Sequence, residues 1–393
     1  MNANSVSSMP RGMAHRILIF RMFGAIPRLL LQALSPQLVL MLGIQSADIA
    51  FVLMINVVVS IALILLYPAM AKHMSIERLF VIGAVFSAIG LASIACAESF
   101  HTLAIVFCMA GGIGWVLLGL QCPQHLVANL PPASLAINMR ALTAGPLVAG
   151  LVVPPAVLWV SQFVHWRTVV LCLAALTLAL CAVSVAKVPA GIGPSPTPDA
   201  SGTRSATPIG KGVGMAEYAA ITFSGALAGF FALHFVLIVD ETFANPNITA
   251  VALFASGLTT LASVFAFTRM QASGNLFRNL TIGSMLVSIV CLMTATIYRT
   301  PLGVFCLLVW PALSAGYFMH SMSVAASYDK AARVSGHLII LHMGSAGGGA
   351  YLFSLAVQAT SSYVWPLRVV SILSLSVSLL LIATAQRRVS FQR

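Results

Sequence analysis

Apolar runs of about 20 residues recur along this chain, and that is the length an α-helix needs to cross the hydrocarbon core of a bilayer. Twelve are read: 15–42, 48–70, 79–97, 102–126, 138–160, 166–187, 215–239, 248–269, 277–297, 302–325, 334–357 and 364–385. Turn signals separate them, at Ser46-Ala47-Asp48, Pro131-Pro132, Asn245-Pro246-Asn247, Thr300-Pro301 and Trp365-Pro366. Of the 393 residues 60% are hydrophobic and only 7% are charged, where soluble domains carry roughly a quarter charged residues. Such a chain cannot cover a water-facing surface with polar groups. A soluble enzyme, a disordered protein and a secreted disulfide scaffold are excluded. The expectation is an all-α membrane protein with the lipid bilayer as its main solvent.

The charge balance reads as topology. Twenty Lys and Arg stand against eight Asp and Glu, a net charge of +12. In a soluble protein this would suggest nucleic acid; here the basic residues sit in short loops, and no nucleic-acid partner is expected. With the N-terminus in the cytoplasm, fourteen basic residues fall in cytoplasmic segments, among them Arg11, Arg16, Lys72, Arg78, Lys187, Arg278 and Lys330. Only Arg167, Arg299 and Arg368 fall on the outer side, and the remaining three, Arg21, Arg28 and Arg140, lie within spans. The positive-inside rule then gives an even number of spans and two cytoplasmic termini, as in a multi-pass protein of a bacterial inner membrane. Arg21 and Arg28 interrupt the first run and no small-residue cleavage site follows it, so it reads as a span and not as a signal peptide.

Residues 188–214 are rich in Pro, Gly, Ser and Thr and read as a flexible cytoplasmic linker. They divide the chain into two six-helix bundles, 1–187 and 215–393, with matching short basic loops at Lys72 to Arg78 and Arg269 to Arg278. Paired halves of this kind suggest alternating access around a site between them.

Several local sequences carry a family resemblance. Leu42-Gly43-Ile44-Gln45-Ser46-Ala47-Asp48, His165-Trp166-Arg167 and Arg333-Val334-Ser335-Gly336 resemble stretches at the starts of the second, sixth and eleventh helices of the major facilitator superfamily. The resemblance spans nearly the whole chain and implies the major facilitator fold, twelve transmembrane helices in two six-helix bundles. The departures are specific. Where the family's loop between helices 2 and 3 has Gly-x-x-x-Asp, this chain has Pro68 and Lys72. The antiporter signature of the fifth helix is reduced to Gly145-Pro146 and Gly150, followed by Pro154-Pro155.

An ionisable side chain at mid-membrane is a functional candidate, and Arg28 is placed there. Arg21, Arg28, Gln32 and Ser35 fall within about 40° of one another on a helix, a polar stripe that needs a cavity or other polar groups to face. Arg28 is a candidate to hold a solute anion bidentately, with Gln32 beside it; Arg21, nearer the cytoplasmic end, is read as an anchor. Gln121 and His125 share a face of helix 4, and Trp310, Ser314, Tyr317 and Ser321 a face of helix 10. The resemblance places helices 1, 4, 7 and 10 around the central cavity, so Gln121, Trp310 and Tyr317 join the substrate-binding candidates. All eight carboxylates lie in loops or near helix ends. If protons are a partner, the candidates are His234, Asp240 and Glu241 on the outer part of helix 7. In helix 11, Gly344 and Gly348 form a GxxxG spacing that predicts close packing.

The seven cysteines lie in or beside apolar runs without zinc spacing, and no P-loop or HExxH motif occurs. No metal, cofactor or enzymatic activity is expected. The reading is a monomeric secondary transporter of a small-molecule solute, anionic or zwitterionic, acting in export. An importer of a similar metabolite or siderophore is the alternative. A membrane-embedded enzyme and a sensor without flux are more distant ones.

Overall fold

The computed structural model describes residues 12–130, 134–188, 215–271, 276–310 and 333–390. Among them the regular structure is helical throughout. The first half holds α1 (Met13–Ala33), α2 (Ser35–Leu42), α3 (Ser46–His73), α4 (Ile76–Cys96), α5 (Phe100–Val116), a π-helical turn (Leu117–Gln121), α6 (Cys122–Ala128), α7 (Leu135–Val160) and α8 (Trp166–Val185). The second holds α9 (Met215–Phe243), α10 (Pro246–Gln271), α11 (Leu276–Ile297), α12 (Pro301–Trp310), α13 (Arg333–Thr360) and α14 (Val364–Ser390). Among the described residues nine helices are long and apolar enough to cross a membrane, with α5 to α6 counted as one span. The α1–α2 pair and two shorter apolar helices, Thr281–Ile297 and Pro301–Trp310, add to them. The protein is an all-α, integral, multi-pass membrane protein. The 189–214 segment and the second half of the 302–325 run lie outside the described residues.

Helix starts follow local chemistry. Asp48 closes a capping box by accepting the Gln45 backbone N–H at 2.8 Å. Ser75 and Ser99 cap α4 and α5 by accepting from the N–H groups of Arg78 and Thr102.

Two departures from the sequence reading trace to proline. The run expected as one span over 15–42 is broken at Leu34, where α1 and α2 meet at 57°. Pro36 sits in the first turn of α2; it has no N–H for the Gln32 carbonyl, and its ring cannot continue the preceding helix past that carbonyl. The run over 102–126 contains the π-helical turn at Leu117–Gln121, just before Pro123, where the backbone loosens to pass a residue that cannot donate.

The buried apolar side chains form two main clusters. One is drawn from residues 13–188 with Leu233 and Ala250 added; the other lies within residues 216–381. In lipid, apolar burial does little to hold helices together, so close packing and polar contacts carry more of the association. Between α11 and α14 a serine ladder supplies them: Ser284 Oγ to Ser378 Oγ at 2.6 Å and Ser288 Oγ to Ser371 Oγ at 2.9 Å.

The α9–α13 seam corrects the expectation for helix 11. A Cβ added at Gly348 would meet nothing within 4 Å, and one at Gly344 would only touch Ile61 at 3.7 Å. The close approaches are at the neighbouring glycines. A Cβ at Gly349 would lie 2.6 Å from Ala226 Cα, and one at Gly229 would collide with the Ala346 carbonyl. The GxxxG spacing is present, but its face is turned away from the seam. Gly229→Leu should therefore force α9 and α13 apart and sharply reduce the folded fraction recovered from membranes. Gly348→Leu should leave abundance and melting temperature close to wild type. Equal losses in the two variants, by size-exclusion recovery and thermal melting, would contradict this packing.

Candidate functional site

Proline inside a helix leaves the carbonyl four residues earlier without its N–H, and inside a bilayer that carbonyl needs another donor. Three such carbonyls converge on α1. Pro27 frees the Phe23 carbonyl, which accepts from Ser87 Oγ at 2.9 Å. Pro123 frees that of Gly119 and Pro146 that of Leu142. One side chain meets both: Arg21 donates Nε to Leu142 O at 2.7 Å and Nη1 to Gly119 O. Glycine makes this possible. Gly24 lies directly against the Gly119 backbone, and Gly145 against the Arg21 side chain, with no room for a Cβ at either. Arg21 thus joins α1, the π-helical turn and α7.

Two turns on, Arg28 sits in a different setting. Its Nε donates to Asn56 Oδ1 at 2.6 Å and its Nη2 to Ser60 Oγ at 2.5 Å. Asn56 and Ser60 are fully buried on α3. Asn56 is oriented in turn by its Nδ2, which donates to the Phe107 carbonyl at 3.2 Å, and Ser60 by its hydroxyl on the Asn56 carbonyl at 2.8 Å. The Trp115 ring lies between the two arginines, 5.0 Å from Arg28 Cζ and 5.9 Å from Arg21 Cζ, close enough for its face to attract both cations. Every group holding Arg28 is neutral. Among the described residues the ion pair formed is Arg299 with Glu241, at the surface. A guanidinium has five N–H groups; two are engaged here, and Nη1 has no hydrogen-bond partner among the described residues.

Gln32, one turn beyond Arg28, lines a cavity of about 250 Å³ between α1, α7, α9 and α10. Its wall is mainly apolar, with Ser256 and Thr260 opposite and Pro146, Gly150 and Pro154 along α7. A mostly apolar cavity with a few polar groups is the usual form of a small-molecule site.

The other candidates are scattered. Gln121 is half-buried in the π-helical turn. Trp310 is completely buried against Phe230 and Phe231, ring centroids 4.9 and 6.1 Å away. Its indole nitrogen has no partner among the described residues. Tyr317 lies outside the described residues. His234 is fully buried, with Nε2 2.8 Å from Ser354 Oγ and Nδ1 3.3 Å from Tyr363 Oη. Asp240 is half-buried, and Glu241 pairs with Arg299. No cluster of three or more metal-ligating side chains occurs among the described residues.

Asn56, Ser60, Trp115 and Ser87 were not singled out in the sequence. A signal existed for the first two: Asn56 and Ser60, four apart, are the polar residues in the middle of the apolar run 48–70.

No family model and no curated protein matches this sequence. Solved structures do. A nucleoside transporter, NupG, aligns with a TM-score of 0.67 at 14% identity, over 95% of this chain and 99% of that one. A POT family transporter in complex with a thioalcohol-conjugated peptide aligns with a TM-score of 0.71 at 11% identity, over 95% and 96%. A bacterial homolog of the human lysosomal transporter Spinster, inward-facing and unoccupied, aligns with a TM-score of 0.65 at 13% identity, over 94% and 95%. At these identities the likeness is one of fold: the chain has the major facilitator fold.

Arg21→Ala should leave two buried carbonyls unmet, at about 1–3 kcal/mol for each unsatisfied group. Pro123→Ala restores the N–H that can close on the Gly119 carbonyl. It should recover part of the lost stability in the Arg21→Ala background and none in the wild type. A double-mutant cycle by denaturant or thermal melting checks this; strictly additive effects would contradict the assignment.

Proposed function

We propose that this protein is a secondary transporter that carries a small anionic or zwitterionic organic solute by alternating access. The observation that carries the reading is Arg28, a cation at membrane depth held by Asn56, Ser60 and Trp115, with no carboxylate partner among the described residues. Leaving such a charge uncompensated is costly. A solute carboxylate or phosphate supplies the missing anion, and the planar guanidinium suits it. Gln32, one turn beyond Arg28, lines the cavity beside α9 and α10, and the proposed path of the solute joins the two. Gln121 stays a candidate for the wall of the path. Trp310 would act from beneath, by backing Phe230 and Phe231, the latter a lining residue of the cavity.

The two halves, residues 1–187 and 215–393, are proposed to rock about this path, joined by the 188–214 linker. Contacts between them support this reading. Gln162 donates to Asn247 Oδ1 at 2.5 Å, Phe51 and Tyr351 have ring centroids 5.7 Å apart, and Gly257 lies against Leu151. The first two belong to the part of the molecule remote from Lys72, Arg78 and Lys187, and the third lies near the middle of α7 and α10. With both termini in the cytoplasm of a bacterial inner membrane, this is a conformation closed to the outside. The proposed direction is export by a monomer, on the retained Gly145-Pro146 and Gly150. Any coupling protons are assigned to the outer part of α9, where His234, Asp240 and Glu241 lie.

The test is a melting-shift screen of the purified protein against small carboxylates, phosphates, amino acids and organic cations. Hits should be anionic or zwitterionic. Arg28→Ala should then lose a charge-assisted contact of about 1.5–3 kcal/mol, roughly a ten- to hundredfold loss of affinity. Arg28→Lys should rescue it in part. Folded Arg28→Ala protein with wild-type affinity, or hits confined to cations, would refute the reading.

A further inference from the structure

A second concavity opens sideways between α9, α13 and α14, with a volume of about 340 Å³. Its floor is Leu227, Phe230 and Phe353, and its rim is apolar and exposed: Leu352 at 67%, Trp365 at 59% and Leu373 at 51%. In a membrane protein such a rim faces lipid. The crevice follows α13 from Thr360 at its end to Gly349, eleven helical steps, or about 16 Å at 1.5 Å per step. Half the hydrocarbon thickness of a bilayer is about 15 Å. The crevice therefore starts at one membrane surface and stops near the midplane, as one lipid leaflet does.

Beside the rim residue Trp365, outside the lining of the crevice itself, stands a cation. Arg368, half-buried on the second turn of α14, holds its guanidinium 5.1 Å from the centre of the Trp365 ring. It forms no hydrogen bond or ion pair with any described residue. Arg167 and Arg299, the other arginines read as lying on this side of the membrane, are engaged. Arg299 binds Glu241, and Arg167 reaches the Ala97 carbonyl and Met41. Tryptophan at the head of a membrane-facing groove marks headgroup depth, and an unpaired arginine there attracts a lipid phosphate.

We propose that this crevice is a binding site for one anionic phospholipid, its acyl chain lying between α9, α13 and α14 and its headgroup phosphate on Arg368 beside Trp365. The length of the crevice fits a chain from a single leaflet. The lone guanidinium selects a headgroup with net negative charge over a zwitterionic one, whose own ammonium would lie close to Arg368. The inner end of the chain would lie beside Gly349, at the close α9–α13 approach, so occupancy should stiffen that seam.

The experiment measures lipid binding to delipidated, detergent-solubilised full-length protein by native mass spectrometry, with melting temperature as a second readout. The probes are phosphatidylglycerol, phosphatidylcholine with the same chains, and glycerophosphoglycerol without chains. Wild type should bind phosphatidylglycerol about fivefold more tightly than phosphatidylcholine and should not respond to the chainless compound. Arg368→Gln should bind the two lipids equally, and Arg368→Lys should keep most of the preference. Ala356→Phe, which fills the crevice, should weaken both lipids. Equal binding of the two lipids to wild type, an undiminished preference in Arg368→Gln, or binding of glycerophosphoglycerol as tight as that of the lipid would overturn the proposal. So would an Ala356→Phe protein that melts like wild type and binds both lipids unchanged.

Discussion

A backbone carbonyl inside a bilayer has no water to turn to, and the first half of this chain contains several that proline has deprived of their helical donor. The geometry around α1 follows from that deficit. Ser87 reaches across from α4 to the carbonyl that Pro27 frees, and Arg21 takes those freed by Pro123 and Pro146. Meeting them needs short interhelical distances, and Gly24 and Gly119 allow the backbones to come that close. Proline, glycine and arginine form one device here. The prolines bend or loosen helices, the glycines admit close approach, and the guanidinium closes the hydrogen bonds.

The same stripe of α1 then separates two arginines by what they face. Arg21 is committed to the two carbonyl groups that Pro123 and Pro146 leave without a helical donor. Arg28 is positioned by the neutral side chains of Asn56 and Ser60, which are themselves fixed by backbone carbonyls. Neutral partners orient a guanidinium without cancelling its charge. That difference, and not burial alone, supports a ligand role for Arg28 and a structural one for Arg21. The share of Trp115 between them couples the site to the helix junction.

Much of the helical architecture was legible along the chain, because the length of an apolar run is a one-dimensional property. The resemblance at Gln45 to Asp48 also has a local cause, the capping box that starts α3. What the sequence concealed depends on contacts far apart in the chain. Asn56 and Ser60 show only as polar residues in an apolar run until Arg28 is seen against them. The glycines of helix 11 illustrate the same limit. Spacing puts Gly344 and Gly348 on one face, but the positions of α3 and α9 decide that Gly347 and Gly349 meet neighbours. Pro36 was visible, and the break at Leu34 follows from it; reading the run by hydropathy alone concealed the bend.

The central claim is that the two halves move oppositely at their two ends when Arg28 is occupied. Spin labels report this directly, after replacement of the seven native cysteines. One pair would sit at Arg78 and Arg278, on the basic side, and another at Val164 and Ile248, on the far side; all four positions are exposed. With a solute that raises the melting temperature, alternating access predicts a shorter Arg78–Arg278 distance and a longer Val164–Ile248 distance. Two distances that stay fixed, or change in the same direction, in protein that demonstrably binds the solute would contradict it.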